Sequence, residues 1–335
     1  MGYSKLLEEE NKITYVKECF ERELCKNLGL VKISSPIALL EGTGINDDLN
    51  GIERPVSFSI KALGERKAQI VHSLAKWKRI RLAQLQVAPG EGVVADMRAL
   101  RPEENDTHIH SVLVDQWDWE QRIERSSRTL SLLKERVRMI YAALKESERQ
   151  VALRYGDIEP SLPEEITFIH SQELLDLYPN LDAKEREQMG AKKWGALFII
   201  GIGGKLSNGE PHDGRAPDYD DWSTLNQEGY WGLNGDIIVW HPVLNMGIEL
   251  SSMGVRVDKE SLLRQLDIKG CRERESLYFH KLLLEEALPQ SIGGGIGQSR
   301  VVMTLLKKRH IGEVQVGIWS AEQRSKLAQE GITLL

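Results

Sequence analysis

The chain has 335 residues, 41% of them hydrophobic and 28% charged, enough for one large core or two modest ones and without the composition of a disordered chain. Its formal charge of -6 offers no global positive field, which argues against nucleic acid as a partner. The longest apolar stretch, residues 196–202, is far short of the ~20 residues of a membrane helix, the N-terminus lacks an apolar signal core, and Cys19, Cys25 and Cys271 form neither a disulfide framework nor a C-x-x-C clip, so we expect a cytoplasmic, reduced protein with no membrane partner.

Residues 6–28 carry helical spacing (Leu7, Ile13, Val16, Phe20, Leu24) and stop at Gly29. An extended piece, residues 30–33, runs to Ser34, Ser35 and Pro36, and a glycine-rich loop over residues 41–51 holds Asp47 and Asp48. Alternation at Val56, Phe58 and Ile60, then Ile70 and Val71, predicts strands; Ser73 is placed to cap a helix bearing Leu74, Trp77, Lys78 and Leu82. Residues 93–100 and 111–119 read as an antiparallel pair around the polar turn 101–108. A long helix is expected over residues 121–155, closed by Gly156 and lying across a sheet.

The second half predicts strands at 166–169 and 196–202, a Gly/Asp-rich loop over 203–235, and a hairpin of residues 236–240 and 248–257. A helix, a glycine loop and a helix finish the chain. Mostly antiparallel strands with interspersed helices indicate an α+β sheet and a single catalytic domain over residues 1–335.

The strongest local signal is Gly293-Gly294-Gly295-Ile296-Gly297-Gln298-Ser299-Arg300, running into an apolar helix. Glycines there allow close backbone approach, and a helix N-terminus beside Arg300 favours an anion or nucleotide; the plain structural alternative is close packing of helix on sheet. A Rossmann loop would have to open a βαβ unit, and fewer than forty residues follow. Gly201 to Lys205 hints at a phosphate loop, but Leu206 occupies its Ser/Thr position. His108 and His110 have no third ligand at metal spacing and read as loop or packing residues. Arg101-Pro102-Glu103, at the mouth of the antiparallel pair, offers a planar fork for phosphate and carboxylate, or else a solvated turn charge.

These signals together resemble the class II aminoacyl-tRNA synthetases: a helix-strand element ending at Pro36, then Arg-x-Glu at Arg101 and Glu103, then a glycine segment ending in Arg300 before a helix. Four longer strings narrow the resemblance to the ammonia-dependent asparagine synthetases. They run from His72 through Arg79, His110 through Glu120, Arg215 through Trp222 and Glu249 through Arg256, and the similarity spans residues 15–319. The loop from Gly42 to Leu49 departs from the family pattern, keeping Asp47 but placing Asp48 where an asparagine is expected.

The resemblance implies a class II synthetase-like antiparallel sheet flanked by helices, and activation of L-aspartate by ATP to β-aspartyl-adenylate before attack by ammonia. It assigns Arg101, Arg215 and Arg300 with Mg²⁺ to the polyphosphate, Asp236 and Glu249 to the metal, and Glu103 to the adenine. Asp47, Gln116, Asp118 and Asp220 would meet the substrate ammonium, Lys78 and Arg256 its carboxylate, with Ser252, His72 and Ser73 alongside. Arg101, Asp47, Gln116, Asp118, Asp220 and Arg300 are the expected catalytic set. Without the resemblance, Asp218, Asp220 and Asp221 would read as a solvated loop. The partners are aspartate, ammonia and ATP, with no tRNA, and a homodimer through the N-terminal element is implied. A tRNA ligase would need an anticodon-binding module for which the chain leaves no room; a catalytically dead regulatory module would not need Arg101, Asp236, Glu249 and Arg300 together.

Overall fold

The computed structural model describes residues 3–47, 53–105 and 107–335. Asp48 and Leu49 of the expected glycine-rich loop lie outside them. The first periodic segment forms α1 (Tyr3–Leu28), which buries Val16, Phe20 and Leu24 and closes at Gly29 with φ 64°, the left-handed conformation glycine adopts without strain. Strands β1 (Leu30–Lys32), β2 (Ala38–Leu40), β3 (Ser57–Ile60) and β4 (Arg66–Ile70) follow, the last three forming a small antiparallel sheet in the order β2-β4-β3.

Next come α2 (Ala75–Leu85), the antiparallel pair β5 (Gly92–Leu100) and β6 (Leu113–Arg122), and α3 (Leu130–Arg154). The remaining elements are β7 (Thr167–His170), α4 (Ser171–Leu177), α5 (Ala183–Trp194), β8 (Ala196–Ile200), β9 (Asn234–His241), β10 (Met246–Val255), α6 (Lys259–Lys269), α7 (Tyr278–Leu284), β11 (Ser291–Gly297), α8 (Gln298–Leu305) and α9 (Ala321–Gln329).

Eight strands form the main sheet in the order β1-β5-β6-β11-β10-β9-β8-β7; the six interior strands pair antiparallel, while β1 on β5 and β7 on β8 are parallel. The α+β expectation therefore holds. Helices α1, α3 and α8 cover one face, where Phe20, Val137, Ile140 and Val302 join Trp117, Trp119, Ile237, Val255 and Ile296 in one core. Burying each such large side chain contributes roughly 1.5–3 kcal/mol. The opposite face carries the polar residues discussed below.

Four expectations change. The long helix begins at Leu130, because residues through Arg122 stay paired in β6 and Thr129 Oγ1 caps the helix by accepting from Leu132 N at 3.2 Å. Ser73 does not hold the N-cap position of α2, which is Leu74; its hydroxyl accepts from Ala75 N at 3.4 Å and donates to Asp47 Oδ2 at 3.0 Å. The glycine segment is an interior strand rather than a loop, paired on both sides with β6 and β10. Helices α4 and α5 have no counterpart among the expected elements, although Asp182 and Glu185 form a capping box, a readable start signal.

Candidate active site

Strand alternation sends Trp117 and Trp119 into the core and turns Gln116, Asp118 and Glu120 to the other face. In β11 the residues in register with these three are Gly297, Gly295 and Gly293. A β-carbon on Gly293 would stand 2.0 Å from Glu120 Oε2, and one on Gly295 would stand 2.5 Å from Gln116 Oε1. These glycines are the gaps across which the polar row of β6 lies. Gly294 serves the packing alternative, since its β-carbon would meet Met253 Cβ at 2.5 Å.

Asp118 and Glu120 each hold a buried cation. Lys78, fully buried on α2, donates to Asp118 and to the Gly294 carbonyl at 3.0 Å; burial drives its pKa down, opposed by Asp118. Arg256 donates from Nε to Glu120 Oε1 at 3.0 Å and from Nη2 to Oε2 at 2.8 Å, and also pairs with Asp220. Burial would raise the pKa of Glu120, but Arg256 holds it below its ordinary value. Arg215 lies 3.6 Å from Asp220 Oδ2 and 2.6 Å from Asp236 Oδ1. Glu120, Arg256, Asp220, Arg215 and Asp236 thus form a line of alternating charge.

Asp118 Oδ2 and Asp220 Oδ2 are buried with no hydrogen-bond partner among the described residues, as is Ser251 Oγ. Such a group costs on the order of 1–3 kcal/mol unless something satisfies it. All three residues line a cleft of about 630 Å³, with Asp47, Gln116, Ser252 and Arg256. Lys78 and His72 lie behind its wall. The His72 N–H is accepted by Asn46 Oδ1 at 2.9 Å, and its carbonyl accepts from Arg101 Nη2 at 3.3 Å.

Arg101 and Arg300 also line the cleft. Arg101 leaves β5 with its Nε buried and unpartnered. Arg300, in the first turn of α8, donates to the Glu249 carbonyl at 2.9 Å and lies 4.0 Å from that residue's carboxylate. Glu103 pairs with Arg54 at the exposed rim. His110 lines the cleft rather than only packing a loop; burial and then Arg300 lower its pKa to about 4. The helix N-terminus itself is filled by the chain's own carboxylate, since Asp115 Oδ1 accepts from Ser299 N at 3.0 Å.

Asp236 and Glu249 come from β9 and β10, beside an irregularity in register between Glu249 and Ser251. Burial, opposed by Arg215 and reinforced by Glu249, pushes Asp236 up to about 6. Glu249 lines the cleft, while Asp236 stands behind it with its Oδ1 taken by Arg215; both are hard oxygen donors of the kind a dication takes beside phosphates and water. Among the described residues no group of three or more His, Cys, Asp or Glu side chains forms a complete protein cage.

The three aspartates near Tyr219 are buried, not solvated. Asp218 is locked by Lys76 at 3.1 Å and His280 at 3.1 Å, and Asp221 by Arg128 at 2.7 Å, so Asp220 alone of the three lines the cleft. Glu120, Asn46, Asp115 and Ser251 escaped sequence reasoning. Alternation with Gln116 and Asp118 was the available signal for Glu120; Asp115 and Ser251 stand inside two of the family-like strings and Asn46 inside the loop from Gly42 to Leu49, with no pattern that marks them singly.

The family model described as aspartate-ammonia ligase matches residues 7–331. A relative from Parabacteroides distasonis named aspartate-ammonia ligase is 53% identical, the match covering 100% of this chain and 98% of the relative. Another of the same name from Clostridium perfringens is 52% identical over 100% of this chain and 98% of its own length. Among solved structures, the asparaginyl-tRNA synthetase of Pyrococcus horikoshii complexed with asparaginyl-adenylate superposes with a TM-score of 0.67 at 16% identity, over 92% of this chain and 68% of that one. The Entamoeba histolytica asparaginyl-tRNA synthetase in complex with asparaginyl-adenylate gives 0.67 at 13% identity, over 93% and 66%. The architecture is that of the class II synthetases.

Proposed function

The chain belongs to the aspartate-ammonia ligase family, and from that premise we propose that residues 1–335 form one catalytic domain in which L-aspartate is amidated by ammonia through an acyl-adenylate. The aspartate β-carboxylate has no leaving group, so ammonia cannot displace its oxygen at a useful rate. An oxygen of that carboxylate attacks the α-phosphorus of ATP, the bond to the bridging oxygen breaks, and pyrophosphate leaves. The nitrogen lone pair of ammonia then attacks the acyl carbon. The acyl carbon–oxygen bond breaks, AMP departs, and a carboxylate in the cleft takes the proton, leaving asparagine.

The observation that carries this reading is one cleft lined both by Asp118 and Asp220, each with a buried carboxylate oxygen that has no hydrogen-bond partner among the described residues, and by Arg101 and Arg300. Asp118, Asp220, Gln116 and Asp47 receive the substrate ammonium, and Arg256 its α-carboxylate. Lys78 acts from below by fixing Asp118, and Asn46 and the His72 and Ser73 segment by fixing Arg101 and Asp47. Arg101, Arg215 and Arg300 stabilise charge on the transferring phosphorus. Glu103 faces the adenine, and Ser252 lines the cleft. Asp236 and Glu249 are the residues that would hold Mg²⁺, which when bound neutralises polyphosphate charge. A two-fold dimer through α1 and the segment to Pro36 belongs to the same reading, supported by the exposed apolar side chains Val31 and Ile37 beside it. A cytoplasmic setting fits a described structure in which no helix is long and apolar enough to cross a membrane.

The test is purified protein with aspartate, ATP and Mg²⁺, given ammonium, glutamine or tRNA in turn, with asparagine, AMP and pyrophosphate measured. Ammonium-dependent asparagine and AMP support the reading. Formation of aminoacyl-tRNA would replace it, and no turnover would remove it.

A further inference from the structure

Glu120 lies below the floor of the cleft and is fully buried. Both its oxygens are engaged: Oε1 accepts from Ser291 Oγ at 2.7 Å and Arg256 Nε at 3.0 Å, and Oε2 accepts from Arg256 Nη2 at 2.8 Å. Strand β11 leaves room for this arrangement only because residue 293 is glycine. A guanidinium has five N–H groups in a rigid plane. Glu120 occupies the side edge formed by Nε and Nη2, while Asp220 takes a hydrogen of Nη1. One N–H remains on each terminal nitrogen for a further acceptor. Arg256 lines the cleft, and Tyr219 sets its ring 5.9 Å from the guanidinium.

We propose that Glu120 is the positioning residue of the amino-acid site: held by Ser291, it fixes the side edge of Arg256 so that the remaining N–H groups on its terminal nitrogens select a substrate α-carboxylate. It touches no substrate itself. An arginine held by Asp220 alone could swing about one contact, and its remaining N–H groups would lose direction; two carboxylates on different edges fix the plane. The inference rests on the aspartate reading above and adds to it a determinant of selection for the α-carboxylate.

The experiment compares wild type with Glu120→Gln and Ser291→Ala, measuring KM for aspartate and for ATP, kcat, and inhibition by β-alanine, which is aspartate without its α-carboxylate. Glu120→Gln keeps the shape but loses the charge and one acceptor. Expected is a rise in KM for aspartate of about tenfold or more, in line with loss of a charge-assisted contact, with KM for ATP within about twofold. The Ki for β-alanine should stay unchanged. Ser291→Ala should shift the same parameter in the same direction by a smaller factor, and decides the matter if Glu120→Gln does not fold. Unchanged KM for aspartate, equal rises for aspartate and ATP, or a β-alanine Ki that rises in step would each overturn the role. Wild type that makes no asparagine would instead defeat the aspartate reading.

Discussion

Gln116 lies across the α-carbon of Gly295, so that a β-carbon on the glycine would stand 2.5 Å from Gln116 Oε1. Its neighbour Gly294 faces the other way, where the obstacles are Met253 Cβ at 2.5 Å and the Ser252 carbonyl oxygen at 2.6 Å. The first clash is with the end of a movable side chain, the second with packed core and backbone. Gly295→Ala should therefore keep stability within about 1 kcal/mol while raising KM for aspartate roughly tenfold, and Gly294→Ala should lose about 1–3 kcal/mol or more of stability by overpacking. Urea unfolding with initial rates checks both. The reverse ordering would mean that the two faces of β11 are misassigned.

Arg101 and Arg300 reach the cleft from different elements, the exit of β5 and the first turn of α8. Replacing either by alanine should lower kcat/KM for ATP at least about a hundredfold, on the order of 3 kcal/mol of lost transition-state charge stabilisation, with the fold retained. Steady-state kinetics beside a far-ultraviolet spectrum tests this. Near-wild-type kinetics in either variant would remove that arginine from the reaction.

Asp236→Asn and Glu249→Gln should each shift the Mg²⁺ dependence of the rate to higher concentration and weaken Mn²⁺ binding, followed by electron paramagnetic resonance with a non-hydrolysable ATP analogue present. Titrations superposable on wild type would exclude both side chains from the metal.

His310 is fully buried against Trp319, and burial together with His108 lowers its pKa to about 4. A histidine depressed in the fold stabilises it fully above about 6.5, the value in the unfolded chain, and that contribution is lost as pH falls toward 4. The melting temperature should therefore drop between pH 7 and pH 5, and less steeply in His310→Asn, which retains a side-chain acceptor for Gly312 N. Equal slopes in calorimetric scans would show that the ring carries none of the acid sensitivity.

Cys19 is buried, donating to Gln150 Oε1 at 3.3 Å; Cys25 is half-buried, and burial raises its pKa; Cys271 points to the Leu266 carbonyl. None of the three lines the cleft. A glutamine-splitting nucleophile would be an activated, accessible thiolate. Replacing all three with serine should leave ammonium-driven asparagine synthesis largely intact, and glutamine should support almost none in any form. Glutamine-driven turnover that vanishes with one of these substitutions would overturn ammonia as the donor.

The sequence by itself determined the elements whose periodicity is local: α1 with its Gly29 stop, the β5 and β6 pair, the β9 and β10 hairpin, and the α+β class. It also displayed the rare strings that identify the family, and through them Asp118, Asp220, Arg101 and Arg300, which the fold gathers around one cleft. Local pattern did not reveal that Gly293 through Gly297 is a strand, because glycine has poor strand propensity and only the side chains crossing from β6 make its absence of a β-carbon necessary. Nor did it separate Asp220 from Asp218 and Asp221, three acids within four positions. Their fates depend on Arg256, Lys76 and Arg128, each at least 36 residues away in the chain. Burial and partner choice at that range are set by how the sheet stacks against α2 and the loop before β9, a long-range property that tertiary structure alone decides.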